Sequence, residues 1–132
     1  MATVTSLEGL WTATDLVKCF GPIPLTRIRT HPAPGTAVEQ DVIDIHDHED
    51  RLFELVDGIL VEKATGAYES YLTILLAEFL STFVREHRLG IVLGPDGMMR
   101  LFPGLVRIPD VSFISLGRLP NRRVPRTPMV NF

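Results

Sequence analysis

The sequence contains a single cysteine, Cys19, and this scarcity excludes an internal disulfide. Beside Phe20 we interpret the lone thiol as a small core residue. No apolar run approaches the roughly 20 residues that a membrane-spanning helix needs. Residues 1–5 lack the positive charge and the long apolar stretch of a secretory signal. We therefore expect a cytoplasmic protein without a membrane segment.

Charge is unevenly distributed along an otherwise ordinary globular composition, with 45% hydrophobic and 22% charged residues. Residues 36–62 hold nine acids and one arginine, a balance of −8, whereas residues 100–132 hold six arginines and one aspartate, a balance of +5. Such a chain can attract cations at one place and phosphates at another. The alternative is that both segments are simply solvated faces.

The first 35 residues are predicted to form a short helix followed by an extended arm. Thr14 is the expected N-cap within residues 6–20, and Gly21 ends the helix. Trp11 is the expected core anchor, with a position facing a partner subunit as the alternative. Four prolines between residues 21 and 35 disfavour further helix.

A second helix is predicted from a capping box in which Thr36 is the N-cap and Glu39 the third helical residue. Its apolar stripe is Val38, Val42 and Ile45. His46 and His48, two residues apart on this helix, point in nearly opposite directions. A solvated helix end is therefore favoured over a metal site.

The clearest local signal is a β-hairpin of residues 52–56 and 59–63, joined by Asp57 and Gly58 in a type I′ turn. Glu54 and Glu62 interrupt its apolar strands. Each side chain is interpreted either as a solvent-facing position or as a functional acid.

The longest helix is predicted over residues 67–88, with strands at 91–93, 98–102 and 105–114 and a loop-like segment after them. Residues with apolar side chains recur along the helix at intervals of three and four and predict a broad packed face: Tyr68, Leu72, Leu75, Leu76, Phe79, Leu80 and Phe83. The element order predicts an α+β fold, an antiparallel meander packed on a long helix. We expect residues 1–35 to form the arm and residues 36–132 the domain.

The last strand carries the oddest feature of the chain, because Pro109 and Asp110 interrupt a buried apolar run. Proline cannot donate a ladder hydrogen bond, and an aspartate is costly to bury without a partner. We expect Asp110 to need a cation, a hydrogen-bond donor or water at a kink in a core strand.

Several ordered segments together resemble the Uma-type restriction endonuclease family. They are FELVDGILVE at 53–62, the Leu- and Phe-rich helix, REHRLGIVLGPDG at 85–97, RLFPG at 100–104 and VRIPDVSFIS at 106–115 followed by RLP. The resemblance spans roughly residues 41–120. It implies a restriction-endonuclease-like core of the PD-(D/E)xK type that hydrolyses DNA with Mg²⁺ or Mn²⁺.

In that pattern Pro109 and Asp110 match the opening Pro-Asp pair. The resemblance implies Asp110, Glu54 and Glu69 as the catalytic acids, and Asp110 and Glu54 as metal ligands. The sequence departs from the pattern because no acid follows Asp110 and no lysine follows Lys63. We expect a truncated core that lacks its last strand and crossover helix, binds the metal ion weakly and is inactive or incomplete as a nuclease.

Two alternatives use the same fold without catalysis. An unpaired last strand could add to a second copy, or the apolar end Met129, Val130 and Phe132 could dock on it, to give a homodimer. Alternatively, a basic loop could bind DNA without cutting it, through Arg118, Arg122, Arg123 and Arg126.

Overall fold

The computed structural model describes residues 11–64 and 66–131. The chain divides into two compact units, Met1–Lys63 and Ala64–Phe132. The described residues form three α-helices and mostly antiparallel strands, which confirms the predicted α+β class. None of the described helices has the length and apolarity needed to cross a membrane. The expected boundary after residue 35 stays a prediction.

In the first unit, the N-cap of helix α1 (Ala13–Phe20) is Thr12 and not the predicted Thr14. Asp15 explains the difference, because it completes a reciprocal capping box with Thr12. The Asp15 amide donates to Thr12 Oγ1 at 3.2 Å, and the Thr12 amide donates to Asp15 Oδ2 at 2.9 Å. The predicted end at Gly21 is confirmed. Residues 6–10 of the segment in which the helix was predicted lie outside the described residues.

The core of this unit combines α1, the arm and the hairpin. One of its buried clusters consists of Leu16, Ile28, Ile59 and Val61, against which Trp11, Phe20 and Ile23 pack. The expected role of Trp11 as a core anchor is confirmed. The expectation for Cys19 was wrong, because α1 turns Leu16 inward and leaves the thiol exposed.

The N-cap of helix α2 (Glu39–Glu49) is Val38, two residues after the predicted N-cap Thr36. The Asp41 carboxylate accepts the Val38 amide at 2.7 Å, whereas the Thr36 hydroxyl donates to the Ala33 carbonyl. Val42 and Ile45 are buried as predicted, but Val38 is exposed because it precedes the first turn.

Strands β1 (Phe53–Val56) and β2 (Ile59–Glu62) confirm the predicted hairpin. Asp57 and Gly58 have φ values of 51° and 74°, as a type I′ turn requires. The Gly58 carbonyl accepts the amides of Gly35 and Ala37 at 2.8 and 2.9 Å. The turn therefore fastens the arm to the hairpin.

In the second unit, helix α3 (Ala67–Glu86) packs on strand β3 (Gly90–Leu93). The prediction that its broad apolar stripe faces the core was wrong. The helix turns Thr73 and Val84 inward, and most of the predicted stripe is on the opposite side, exposed. Periodicity identified the stripe, but it could not show whether this chain covers it.

Four further strands complete this unit: β4 (Met98–Phe102), β5 (Leu105–Arg107), β6 (Ser112–Ser115) and β7 (Met129–Asn131). β3 pairs antiparallel with β6, while β4 pairs antiparallel with β5 and parallel with β7. The single strand predicted over residues 105–114 is therefore two strands. One buried cluster of the second unit, around β4 and β6, consists of Met99, Ile114, Leu119 and Val130.

The segment after β6 is more ordered than the predicted loop. It contains the 3₁₀ turns Leu116–Arg118 and Pro120–Arg122 before β7. Met129 and Val130 are buried, and β7 occupies an edge of β4 within the same chain. These two residues are therefore not available to dock on a second copy, and Phe132 lies outside the described residues.

Candidate active site around Asp110

The site begins with a break between two strands. β5 pairs with β4 and β6 pairs with β3, so the chain leaves one sheet and joins the other over residues 108–111. Pro109 suits this position because it has no amide hydrogen to offer a ladder. Ile108 and Ile114, at 2% and 3% exposure, anchor the chain on either side.

Asp110 lies within this break and is exposed. The expectation of a carboxylate enclosed in a core strand was wrong, because the break between β5 and β6 brings the residue to the surface. Its backbone is nevertheless fixed by the buried isoleucines on both sides. The result is an accessible carboxylate on a well-anchored segment, which suits contact with a ligand from solvent.

A second polar group lies two residues further along the chain. Ser112 Oγ is shielded from solvent and has no hydrogen-bond partner among the described residues. A buried hydroxyl without a partner costs free energy. No sequence pattern predicted this feature, because a serine on a strand is usually solvated or paired.

Glu69 lies in the first turn of α3, with its carboxylate directly over the N-cap residue Gly66. A negative charge at this place is favourable because the helix N-terminus carries a partial positive charge. The geometry thus gives Glu69 a local role at the helix end. Its assignment as a catalytic acid stays a prediction.

The two hairpin acids differ in their surroundings. Glu54 is half-buried on β1, opposite Val61. Glu62 is bound by Arg51, whose Nε and Nη2 donate to the two carboxylate oxygens at 2.9 and 2.7 Å. This pair holds the pKa of Glu62 below its usual value. Glu62 is therefore part of an ion pair, while the proposed role of Glu54 stays untested.

The same surface contains a network that the sequence did not reveal. Arg29 binds Glu49 through two hydrogen bonds of 2.7 and 2.8 Å, and Arg51 reaches Glu49 at 3.6 Å. The guanidinium groups of Arg29 and Arg51 lie 5.6 and 5.1 Å from the ring centroid of Phe53, within cation–π range. The sequence offered one signal of this contact. Arg51 and Phe53 are two residues apart, and residues two apart in an extended chain lie on the same side.

Magnesium ions are held in proteins by several oxygen ligands, commonly including one or two carboxylates. Among the described residues of each unit, no group of three or more His, Cys, Asp or Glu side chains is placed to hold a metal ion. Asp110 contributes one accessible carboxylate to its surroundings, and the carboxylate of Glu69 lies over Gly66 at its own helix end. These residues do not amount to a complete magnesium site.

The four arginines predicted to contact DNA are all exposed in the segment that follows β6: Arg118, Arg122, Arg123 and Arg126. In the described part of the chain, no ion pair joins any of them to a carboxylate. Arg118 also lines a concavity with Phe102 and Phe113, both exposed. Positive charge and aromatic rings are the groups that nucleic acids contact in binding grooves.

Comparison with known proteins places these features in a family context. Residues 39–130 match the model of the Uma2 family, described as "Putative restriction endonuclease". The match covers more than half of the chain and includes every predicted site residue. No curated protein matches the chain significantly.

Proposed function

Because the chain belongs to the Uma2 family of restriction-endonuclease-like proteins, we propose that it carries the DNA-binding and Asp110-bearing part of a metal-dependent DNA endonuclease. The observation that supports this most directly is the position of Asp110. It follows Pro109 in the break between β5 and β6, where the side chain is accessible and the backbone is anchored.

The residues of this chain also set a limit on its activity. No acid follows Asp110 and no lysine follows Lys63. A single carboxylate binds Mg²⁺ or Mn²⁺ weakly, because these ions need several oxygen ligands. We therefore propose that these 132 residues cleave DNA poorly by themselves. Glu54 and Glu69 are proposed as further catalytic acids.

DNA contact is proposed for the arginines of the segment after β6. Their side chains are exposed and free of ion pairs with described carboxylates, so DNA phosphates need displace no existing partner. Contacts of this kind give affinity without sequence specificity. The arginines proposed to bind DNA are thus distinct from the acids proposed for cleavage.

The proposal is tested by plasmid nicking with Mg²⁺ or Mn²⁺ and by Mn²⁺ binding followed by electron paramagnetic resonance. We expect weak Mn²⁺ binding that Asp110→Asn abolishes and at most marginal nicking. Asp96→Asn is the matched control, since Asp96 is an exposed acid in a turn of the same unit. It should leave Mn²⁺ binding unchanged.

Two results would contradict the proposal in different ways. Robust nicking that Asp110→Ala abolishes would refute the limited activity and place a substitute acid within these residues. Equal Mn²⁺ binding by the wild-type chain and Asp110→Asn would remove Asp110 from the metal site.

A further inference from the structure

The most unusual surface of the molecule lies on α3. Seven large apolar side chains on one side of this helix are each between 45% and 76% exposed: Tyr68, Tyr71, Leu72, Leu75, Leu76, Phe79 and Phe83. We call this set the α3 apolar face. It lies opposite Thr73 and Val84, the residues that α3 turns into its own unit. Folded chains rarely leave so continuous an apolar surface in water.

We propose that the α3 apolar face is the interface of a homodimer, in which two copies of α3 pack against each other in antiparallel orientation. This inference is independent of the proposed nuclease function. It also differs from self-association through the last predicted strand, because the contact uses one side of a helix instead of the edge of a strand.

The size of the face fits a stable dimer. Its four aromatic residues are 68%, 60%, 76% and 51% exposed. At about 150–250 Å² for each aromatic side chain, they offer on the order of 500 Å². Three leucines, each about half exposed, enlarge this area. A standard interface buries roughly 800 Å² on each partner, so the face is of the required order.

The order of side chains along α3 makes the face complementary to itself. A two-fold axis between Leu75 and Leu76 sets those two residues against each other. It also sets Leu72 against Phe79 and Tyr68 against Phe83 of the second copy. Aromatic rings thus meet aromatic rings at both ends and leucines meet at the centre, as an isologous contact requires.

Charge favours the antiparallel orientation over the parallel one. Glu78 and Glu86 lie beside Leu75, Phe79 and Phe83 along one shallow groove of the face. A parallel pair in register would bring the two copies of each glutamate to the same level along the interface, where like charges repel. The antiparallel pair instead brings Glu78 within one helical turn of Tyr71 of the second copy, where the phenol can donate a hydrogen bond to the carboxylate.

Sedimentation equilibrium of the full chain over the micromolar range tests the interface. We expect a wild-type dimer whose dissociation constant rises at least about tenfold in Phe79→Glu, since buried aromatic side chains carry much of the affinity of an interface. Phe102→Glu is the matched control, because Phe102 is 68% exposed but lies on β4. It should leave the dimer intact, and circular dichroism should show both variants folded.

The orientation is tested by mixing two variants of different mass, Tyr68→Cys and Phe83→Cys, in a Cys19→Ser background. Oxidation should join the two variants to each other far more than either to itself. Self-joined Tyr68→Cys would overturn the antiparallel register.

Two outcomes would overturn the proposal altogether. One is a wild-type monomer across the whole concentration range. The other is a monomer that binds phosphatidylcholine vesicles through this face, with binding lost in Phe79→Glu, which would assign the face to a lipid surface.

Discussion

Arg51 binds both carboxylate oxygens of Glu62, while its guanidinium group lies over the ring of Phe53. A residue before β1 is thereby fixed to the end of β2. Two parallel hydrogen bonds between a guanidinium group and a carboxylate bind more strongly than a single charged hydrogen bond. Arg29 repeats the arrangement with Glu49 at the end of α2. The two pairs join α2, the arm and the hairpin on one surface.

The first prediction concerns acid stability. Arg51 holds the pKa of Glu62 below its ordinary value of 4.5, so the unfolded chain binds the proton more readily than the folded chain. The pair therefore stabilises the fold fully above about pH 4.5, and this stabilisation is lost as the pH falls through the lowered pKa. Melting temperatures should depend less on pH in Glu62→Gln than in the wild-type chain.

Hydrogen bonds from Arg29 likewise hold the pKa of Glu49 below its ordinary value. The melting temperature of the double variant Glu49→Gln with Glu62→Gln should therefore depend even less on pH in the acid range. A double variant whose melting temperature falls with acid as steeply as that of the wild-type chain would contradict the stabilising role of both ion pairs.

The second prediction concerns the hairpin turn. Gly58 and Gly104 both have positive φ, at 74° and 78°, but only Gly58 faces the backbone of Gly35. A methyl group at Gly58 would approach the Gly35 carbonyl to 2.6 Å, whereas one at Gly104 would meet nothing within 4 Å. Gly104→Ala should lower the free energy of unfolding by about 1 kcal/mol, because alanine is strained at positive φ.

Gly58→Ala should cost clearly more, measured by urea unfolding, because the arm must also move away. Equal losses in the two variants would show that the contact with Gly35 does not stabilise the fold.

The third prediction concerns the buried hydroxyl near Asp110. Ser112→Ala removes a group with no described partner, so stability should be unchanged or slightly raised. Ile114→Ala on the same strand should cost about 2–5 kcal/mol, because its side chain is fully packed. A large loss in Ser112→Ala, measured by the same unfolding experiment, would show that Ser112 has a bound partner.

The fourth prediction concerns DNA affinity. Each arginine that contacts a phosphate adds about 0.9 to the slope of log affinity against log salt concentration for duplex DNA. Arg122→Gln with Arg123→Gln should therefore lower that slope by nearly 2, measured by fluorescence anisotropy. Arg85→Gln is the control, since Arg85 is exposed on α3 and does not belong to the segment that follows β6. A slope that does not change in the double variant would remove these arginines from the DNA interface.

Local signals in the sequence were strong where a few neighbouring residues decide the structure. The Asp57 and Gly58 pair specified its turn because both residues tolerate positive φ, and Gly21 specified the end of α1 for the same reason. Helix starts were less predictable. Thr12 and Val38 are the N-caps because Asp15 and Asp41, three residues later, complete the hydrogen bonds.

The site was predictable only in part. The order of motifs was enough to identify the family, and the pair Pro109 and Asp110 marked an interruption correctly. The exposure of Asp110 was not predictable, because it depends on β5 and β6 joining different sheets. The pairing of Glu62 with Arg51 was equally hidden, since a salt bridge between residues eleven apart depends on the hairpin having formed.

By itself the sequence determined the helices, the hairpin and the family, because these follow from residue order and short-range geometry. The tertiary structure alone decided which side of α3 is covered and which polar groups are paired. An apolar stripe records only that a surface avoids water, and the same stripe can pack inside its own chain or face a partner. Strand pairing and burial depend on contacts between distant segments, and those contacts exist only in the folded chain.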